Sequence, residues 1–444
     1  MNTVKVDFLN IVGSIKPMNA VNNGPKPNKS LQTSGNFQSY KEARFPYART
    51  HDSDACTSYG GPHIVDIYRV FPDFDADPEL PESYDFELTD RYLQSIMDAG
   101  AKVFYRLGQT IEHAPKKYYI HPPKDFKKWA VICEHIIRHY NEGWSDGFHH
   151  NIEYWEIWNE PDLLQGNNSP TWSGTKEQFF DLYEITANYL KSCFPELKIG
   201  GPAAVGSRTY MSEFINEMSS RKVPMDFFSW HQYGFVVEDI IARVEFVRKT
   251  LDDAGYTETE SILNEWAYIK GWSEEFVYSL EAINGIKGAS FVAGVMADCQ
   301  YAPLDMLMYY DLTPGAIFNG VFNRLSQKPL STYYSFYWFA NLADLGNAVE
   351  VNCCEDIHCV AATDGKRHGI LLTHYNNDDA TAPRKIELSW NAMGGKYKII
   401  VYRTDADNYA EPITEMIVDG AQSAEWHGTL KLYDVCYVDI TPIE

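Results

Sequence analysis

The chain has 444 residues, of which 45% are hydrophobic and 22% are charged, and its formal net charge is −23. This balance of apolar and charged residues predicts a folded protein of two domains rather than a disordered chain. Because phosphate groups attract cations, the negative charge excludes nucleic acid and anionic membranes as expected partners. No apolar run approaches the roughly 20 residues that span a bilayer, so no membrane anchor is expected either.

From about residue 10 to residue 340, short β-like runs alternate with longer segments of helical period. Repeated units of this kind predict an α/β fold with a parallel sheet, and eight strands close most simply into a (β/α)8 TIM barrel. The predicted strands are residues 14–20, 47–50, 102–107, 153–158, 198–202, 226–230, 261–264 and 306–310. The clearest helical segments are residues 88–100, 124–143, 176–193 and 237–255. We assign residues 10–340 to a catalytic barrel.

The pattern changes after residue 340 to short alternating segments separated by Gly, Asn and Asp. This pattern is typical of an antiparallel β-sandwich, which we assign to residues 341–444 as an accessory domain. Residues 1–9 alternate in the same way and are expected to add an N-terminal strand to it. The two ends of the chain would then meet in one domain.

The eight cysteines have no regular spacing, and the sequence does not begin with a basic segment followed by a long apolar one. These features predict a reduced, cytoplasmic protein. Cys353, Cys354, His358 and Cys359 lie close together in the sequence, but adjacent cysteines on a strand do not readily close a tetrahedral zinc site. We therefore expect no metal and no other cofactor. The sequence is compatible with a homo-oligomer as well as with a monomer.

Two acidic residues follow predicted strands at opposite sides of the barrel. Glu160 ends the segment WEIWNE (155–160) after the fourth strand, and Glu265 lies in LNEW (263–266) at the seventh. In a TIM barrel the chemistry lies at the C-terminal strand ends. Cleavage of a glycosidic bond requires one acid that protonates the leaving oxygen and one carboxylate that faces the anomeric carbon. The two residues fit this pair of tasks.

Six short segments together carry a resemblance to a known family. They are MNAVNNGP (18–25), RTH (49–51), WEIWNEP (155–161), DFFSWHQY (226–233), LNEW (263–266) and KPL (328–330). This combination resembles glycoside hydrolase family 39, a family of β-xylosidases and α-L-iduronidases within the clan of retaining (β/α)8 glycosidases. The resemblance implies a double displacement through a covalent glycosyl-enzyme, with Glu160 as acid/base and Glu265 as nucleophile. It also places four residues near the sugar or the nucleophile, namely His51, Asn159, His231 and Tyr233.

Five more residues at strand ends are candidate contacts of an oligosaccharide or small glycoside substrate. They are Arg49, Arg106, Trp266, Tyr310 and Asp311. A cation such as Arg49 would favour the ionised nucleophile. Each has a structural alternative: an ion-pair network for Arg49, contact with a loop only for Arg106, packing at the barrel rim for the aromatic residues, and a turn for the aspartate.

The segment after the eighth strand departs from the family pattern, which has a Trp where this chain has Tyr310. The departure leaves the identity of the glycone open. The first choice is an exo-acting β-xylosidase, and the alternatives are a β-glucoside, an α-L-arabinoside or a uronide. A uronide would need a cation against its carboxylate, for which Arg49 and Arg106 are the candidates. A glycan-binding barrel without turnover is the alternative from another class, and the paired carboxylates disfavour it.

Overall fold

The computed structural model of the protein describes residues 2–25, 35–51, 63–112, 115–164, 169–313, 315–420 and 422–443. These residues form a closed barrel of eight parallel strands and a nine-stranded, mostly antiparallel sheet. This confirms the predicted fold class. None of the helices in the described ranges is both long and apolar enough to cross a membrane.

The barrel strands follow one another in chain order around the barrel. After β1 (Asn2–Ser14), which belongs to the sheet, the barrel strands are β2 (Ala20–Asn22), β3 (Tyr47–Arg49), β4 (Lys102–Leu107), β5 (Tyr154–Ile157), β6 (Lys198–Ala204), β7 (Phe227–His231), β8 (Glu260–Trp266) and β9 (Met306–Tyr309). Parallel pairing of Ala20 with Met308 and of Val21 with Tyr309 joins β2 to β9 and closes the barrel. The carboxyl ends of all eight strands therefore meet at one face.

The first barrel strand lies later in the chain than the predicted strand at residues 14–20. The long strand β1 continues to Ser14, and β2 begins only at Ala20. Pro17 lies between them and has no N–H to give to a β-ladder. The backbone N–H of Met18 donates to the carbonyl of Lys16 at 2.8 Å, so the chain turns here instead of extending.

Helices connect the strands on the outside of the barrel. They are α1 (Phe37–Ala43), α2 (Ile67–Val70), a 3₁₀ turn (Pro81–Ser83), α3 (Glu87–Asp98), α4 (Phe126–Asn141), α5 (Lys176–Cys193), α6 (Arg208–Ser220), α7 (Val237–Asp253), α8 (Phe276–Ile283), α9 (Ile286–Tyr301) and α10 (Ser331–Leu345). The four predicted helical segments form α3, α4, α5 and α7. In α4 the buried Trp129, Ile132, Cys133 and Ile136 recur at helical spacing, and Asp125 caps its first turn by accepting two backbone N–H groups.

The remaining strands form the sheet together with β1. They are β10 (Asn347–Asn352), β11 (Ile357–Thr363), β12 (His368–His374), β13 (Arg384–Trp390), β14 (Lys396–Thr404), β15 (Glu411–Asp419), β16 (Ala424–Leu430) and β17 (Val435–Pro442). β1 lies between β10, to which it is antiparallel, and β13, to which it is parallel. The two edge strands of the sheet, β15 and β16, approach each other, since Trp426 Nε1 of β16 donates to Thr414 Oγ1 of β15 at 3.3 Å. The sheet is therefore strongly curved. The N-terminal strand thus belongs to this sheet, whereas the exact division of the chain into domains stays a prediction.

Helices α9 and α10 pack between the barrel and the sheet. The Trp338 ring of α10 stacks on the Tyr437 ring of β17, with centroids 4.5 Å apart. The hydroxyl groups of Ser290 on α9 and Thr373 on β12 form a hydrogen bond of 2.7 Å. The sheet is thereby attached to the helices that pack around β8 and β9 of the barrel.

Candidate active site

The two predicted carboxyl groups lie together at the carboxyl ends of the barrel strands, and the space that they and their neighbours enclose is called the pocket below. Glu160 follows β5 and is 4% exposed, and Glu265 lies in β8 and is 3% exposed. One carboxylate oxygen of each lies within 4.8 Å of the other and of His231 Nδ1. This spacing leaves room for one reacting carbon between the two acids.

The backbone of Glu160 has a left-handed conformation that non-glycine residues rarely adopt, with φ of 47°. Such a conformation costs about 1 kcal/mol or more unless its surroundings hold it. Here the Glu160 N–H donates to the carbonyl of Ala203 at 3.0 Å, and the Thr171 hydroxyl donates to the carbonyl of Glu160. These contacts with neighbouring segments fix the direction of the Glu160 side chain.

Arg49, the last residue of β3, connects the buried polar groups beneath the pocket. Its Nη1 donates to Glu265 Oε1 at 2.7 Å and to Asn22 Oδ1 at 3.0 Å. Its Nε donates to Glu156 Oε2 at 2.6 Å, and its Nη2 donates to Asn159 Oδ1 at 2.7 Å. The planar guanidinium thus holds two carboxylates in one geometry, which a lysine could not do.

Three further side chains contact the carboxylate of Glu265. His51 Nε2 lies 2.7 Å from Oε1, the Tyr233 hydroxyl donates to Oε2 at 2.8 Å, and His231 Nδ1 lies 3.5 Å from Oε2. Burial raises the pKa of Glu265, but His231, His51 and the charge of Arg49 outweigh it, and the pKa lies well below its usual 4.5. The carboxylate is therefore ionised at neutral pH.

His231 connects the two acids, because its Nδ1 also lies 2.6 Å from Glu160 Oε1. Burial lowers the pKa of His231 to about 4, against the opposing effect of Glu265, so the ring is neutral at neutral pH. A neutral imidazole nitrogen donates or accepts according to its tautomer. The contact is therefore compatible with both the protonated and the ionised form of Glu160. Burial and Glu265 raise the pKa of Tyr233 well above 10, so its phenol stays a donor.

Tyr310 and Asp311, the predicted contacts after β9, lie beside this pocket. The Tyr310 ring centroid is 5.7 Å from that of His51 and 6.3 Å from that of Tyr233. Asp311 is buried, and its Oδ2 accepts from Asn23 Nδ2 at 3.4 Å. The structure thus brings seven predicted residues and both acids together, and Tyr310 lies between the rings of His51 and Tyr233.

The structure places two predicted contacts in other surroundings. Arg106 is fully buried, and its Nη2 donates to Asp66 Oδ1 at 2.8 Å, an ion pair that was not predicted. The Trp266 ring packs against the rings of Tyr309 and of Phe291 on α9, at 5.5 and 6.1 Å. Trp266 therefore faces the surrounding helices, whereas Glu265 faces the interior of the barrel.

A group of aromatic residues at the pocket was not predicted from the sequence. Trp272, between β8 and α8, is 59% exposed, and its ring centroid lies 5.2 Å from that of Tyr233. Phe276 and Phe318 lie 5.9 and 6.3 Å from the same indole ring. The sequence gives no signal for this group, since an isolated tryptophan in a loop does not reveal whether it is exposed.

A second layer of polar residues beneath the acids was also missed. Asn264 Nδ2 donates to Glu156 Oε1, and Asn22 Nδ2 donates to the carbonyl of Asn264 at 2.7 Å. Asn22 lies in one of the segments that carry the family resemblance, and Asn264 directly precedes Glu265 in another. Their position within the segments MNAVNNGP and LNEW was the available signal.

Within the described ranges, Glu160, His231 and Glu265 are close enough to share a metal ion. However, Glu265 Oε1 already contacts the guanidinium of Arg49, whose permanent charge repels a cation. In the cluster of Cys353, Cys354, His358 and Cys359, the histidine already has a partner, because His358 Nδ1 lies 2.8 Å from Asp298 Oδ2. The donor set of the pocket suits proton transfer better than metal binding, and the absence of a metal stays a prediction.

The chain resembles known proteins in sequence and in fold. The model of the family "Glycosyl hydrolases family 39" matches residues 45–267. A β-xylosidase of Geobacillus stearothermophilus is 26% identical over 324 residues, and a β-xylosidase of Caldicellulosiruptor saccharolyticus is 30% identical over 163 residues. The matches cover 63% and 34% of this chain but only 61% and 31% of these relatives. A glucosidase from Croceicoccus marinus has the same fold, with a TM-score of 0.82 and 21% identity over 100% of this chain and 99% of that one.

Proposed function

The chain belongs to glycosyl hydrolase family 39, and we propose that it removes terminal β-xylosyl groups from oligosaccharides or small glycosides with retention of configuration. The matching relatives from Geobacillus stearothermophilus and Caldicellulosiruptor saccharolyticus are both β-xylosidases. We assign the role of nucleophile to Glu265 and that of acid/base to Glu160. The reaction is then a double displacement through a covalent xylosyl-enzyme.

The observation that carries this proposal is the distance of no more than 4.8 Å between carboxylate oxygens of Glu160 and Glu265. Retaining glycosidases hold their carboxyl groups about 5–5.5 Å apart, whereas inverting enzymes need about 6.5–9.5 Å to admit a water molecule between acid and sugar. The bound of 4.8 Å applies to one oxygen of each carboxyl group and lies near the retaining separation, so it supports direct attack by a carboxylate on the anomeric carbon.

In the first step, Glu265 bonds to the anomeric carbon while Glu160 gives its proton to the leaving oxygen. The contacts of Glu265 with Arg49, His51 and Tyr233 favour its ionised form before the attack. In the second step, Glu160 takes a proton from water, the water oxygen attacks the anomeric carbon and the bond to Glu265 breaks. Glu160 thus acts first as an acid and then as a base.

Asn159 has an amide nitrogen available for the substrate. Its Oδ1 accepts from Arg49, whereas its Nδ2 is buried and has no hydrogen-bond partner among the described residues. A sugar hydroxyl beside the nucleophile would satisfy this donor. This supports the assignment of Asn159 to the 2-hydroxyl of the bound sugar.

A uronide is less compatible with the described contacts than a neutral sugar. Arg49 already binds Glu156 and Glu265, and Arg106 is paired with Asp66. A substrate carboxylate would have to compete with buried ion pairs for either cation. We therefore keep β-glucosides and α-L-arabinosides as the closer alternatives to a β-xyloside.

We also propose that the protein acts in the reducing cytoplasm. Seven cysteines lie in the described ranges, and all of them are free thiols: Cys133, Cys193, Cys299, Cys353, Cys354, Cys359 and Cys436. Free thiols are usual where glutathione keeps cysteines reduced.

The test is a panel of 4-nitrophenyl glycosides, followed by proton NMR of the first product formed from the preferred one. We expect the β-xyloside to be the best substrate and β-xylose to appear before mutarotation. Preference for another glycone would replace the proposed substrate. Initial release of α-xylose would overturn the retaining mechanism. Absence of hydrolysis with every glycoside would favour a binding protein.

A further inference from the structure

The wall of the pocket next to the nucleophile is built of aromatic rings that continue outward to the surface. The Tyr233 hydroxyl donates to Glu265, and the Tyr233 ring contacts the Trp272 ring at 5.2 Å with an interplanar angle of 80°. Phe276 and Phe318 lie behind the indole and also contact each other at 6.0 Å. The Trp272 side chain is thus supported by protein while 59% of the residue is exposed.

An exposed hydrophobic residue by itself needs no explanation, since most protein surfaces carry some. Trp272 differs because of its position. A single ring, that of Tyr233, separates it from the carboxylate of Glu265. An indole held in this way offers a flat apolar surface within reach of a substrate bound at the two acids.

The exposure of Trp272 indicates which part of a substrate it contacts. The sugar that is attacked must reach Glu265, whose carboxylate is nearly inaccessible, so this sugar lies in the depth of the pocket. The leaving group points the other way, toward solvent, where it can depart. A residue at the mouth of such a pocket therefore contacts the leaving group and not the attacked sugar.

We propose that Trp272 forms a leaving-group subsite that stacks on the flat face of a ring, either the next sugar of an oligosaccharide or an aryl group. This inference rests on the proposed glycosidase function and names the part of the substrate that the site selects. The indole buries the apolar C–H face of a sugar ring, and aromatic side chains contribute mainly through such apolar area. Phe276 and Phe318 fix the orientation of the indole.

The test compares leaving groups with and without a ring in the variant Trp272→Ala. The probes are xylobiose, 4-nitrophenyl β-xyloside and β-xylosyl fluoride, whose leaving group is a single atom. We expect kcat/KM of the variant to fall for xylobiose at least about tenfold more than for the fluoride, with Trp272→Phe between the variant and the wild type. A loss confined to the nitrophenyl substrate would assign the subsite to aryl groups rather than sugars.

The control is Tyr409→Ala, which removes an exposed aromatic residue of the sheet domain. Equal losses for all three probes in Trp272→Ala would overturn the proposal, because they would place Trp272 against the attacked sugar. No loss for any probe would overturn it as well.

Binding to the Glu265→Gln background is measured by calorimetry and does not depend on turnover. In this background, Trp272→Ala should weaken the binding of xylobiose more than the binding of xylose. Equal weakening of both would contradict the proposed subsite. A failure of the proposed function shows itself differently, as a wild-type protein that hydrolyses none of the probes.

Discussion

Arg49 Nη1 donates to Glu265 Oε1 at 2.7 Å, and both side chains are buried in the barrel. The same guanidinium binds Glu156, so one cation serves two carboxylates that have almost no access to water. When Glu265 attacks a sugar, it loses its charge, and Arg49 keeps Glu156 as a partner. The ion pair therefore persists through the reaction that we propose.

Replacement of Arg49 should affect both stability and activity. Arg49→Ala leaves two buried carboxylates without a cation, which costs about 3–5 kcal/mol of unfolding free energy. Arg49→Lys keeps the charge but cannot make the four hydrogen bonds, and we expect kcat/KM to fall about a hundredfold or more. Urea unfolding and nitrophenyl-glycoside kinetics measure the two effects.

The matched control is Arg91→Ala, since Arg91 forms an exposed ion pair with Glu87. This change should alter the unfolding free energy by no more than about 0.5 kcal/mol. An Arg49→Lys variant with wild-type activity would contradict the role of Arg49 beside the nucleophile.

The pH profile should depend on the groups around Glu265. Since the pKa of Glu265 lies well below 4.5, the acidic limb of kcat/KM in the wild type should lie below pH 4.5, where activity falls as Glu265 becomes protonated. His51→Asn removes a group that lowers this pKa, so the acidic limb should move to higher pH. Tyr233→Phe removes the hydrogen bond to Oε2 and should move it in the same direction.

His427→Asn serves as the control for this profile, because His427 lies in the sheet domain and pairs with Glu425. Its acidic limb should coincide with that of the wild type. If both His51→Asn and Tyr233→Phe also left the limb in place, Glu265 would not be the group that must be ionised.

The two acids should give opposite phenotypes when each is removed. Glu160→Ala should still react with nitrophenyl glycosides in the first step, because nitrophenolate leaves without a proton, but the covalent intermediate should accumulate. Azide needs no general base, so it should restore turnover and yield the β-glycosyl azide. Glu265→Ala should be inert toward the same substrates.

Burst kinetics and NMR of the azide product read out this comparison. Glu274→Ala, which removes an exposed carboxyl group near the aromatic wall, is the control and should keep its turnover. Exchanged phenotypes of the two acid variants would reverse the roles that we assign to them.

Local sequence patterns were sufficient for most of the barrel. The predicted strand at residues 102–107 has the bounds of β4, because its apolar run ends where the strand ends. The prediction failed where Pro17 separates β1 from β2, since an extended segment can belong to either sheet.

Contacts between distant segments could not be predicted in the same way. The aromatic wall combines Tyr233, Trp272 and Phe318 from loops after three different strands. Likewise, the contact of Arg49 with Glu156 forms only because the barrel closes, and it was not predicted, whereas an effect of Arg49 on Glu265 was expected. Motifs identify which residue types are present, but only the assembled fold determines which of them meet.

The sheet domain contacts the catalytic loops directly, and this contact gives a final prediction. The Tyr375 hydroxyl, just after β12, donates at 2.6 Å to the carbonyl of Phe235, two residues after Tyr233. Tyr268 donates at 3.1 Å to Asn377 Oδ1, and Ile269 N donates at 2.8 Å to the carbonyl of Gly234. The loops after β7 and β8 are therefore bound to each other and to the sheet.

Tyr375→Phe should lower the unfolding free energy by about 1 kcal/mol, because one buried hydrogen bond is lost. It should also lower kcat/KM roughly two- to tenfold, since the loop that carries Tyr233 gains freedom beside the nucleophile. Tyr301→Phe is the matched control: it removes the hydrogen bond of 3.0 Å that the Tyr301 hydroxyl of α9 donates to the carbonyl of Val349 in the sheet, away from these loops. Its stability should fall by a similar amount while kcat/KM stays within about twofold of the wild type. If both variants lost activity equally, general loosening of the interface would account for the loss, and the sheet would have no specific effect on the position of Tyr233.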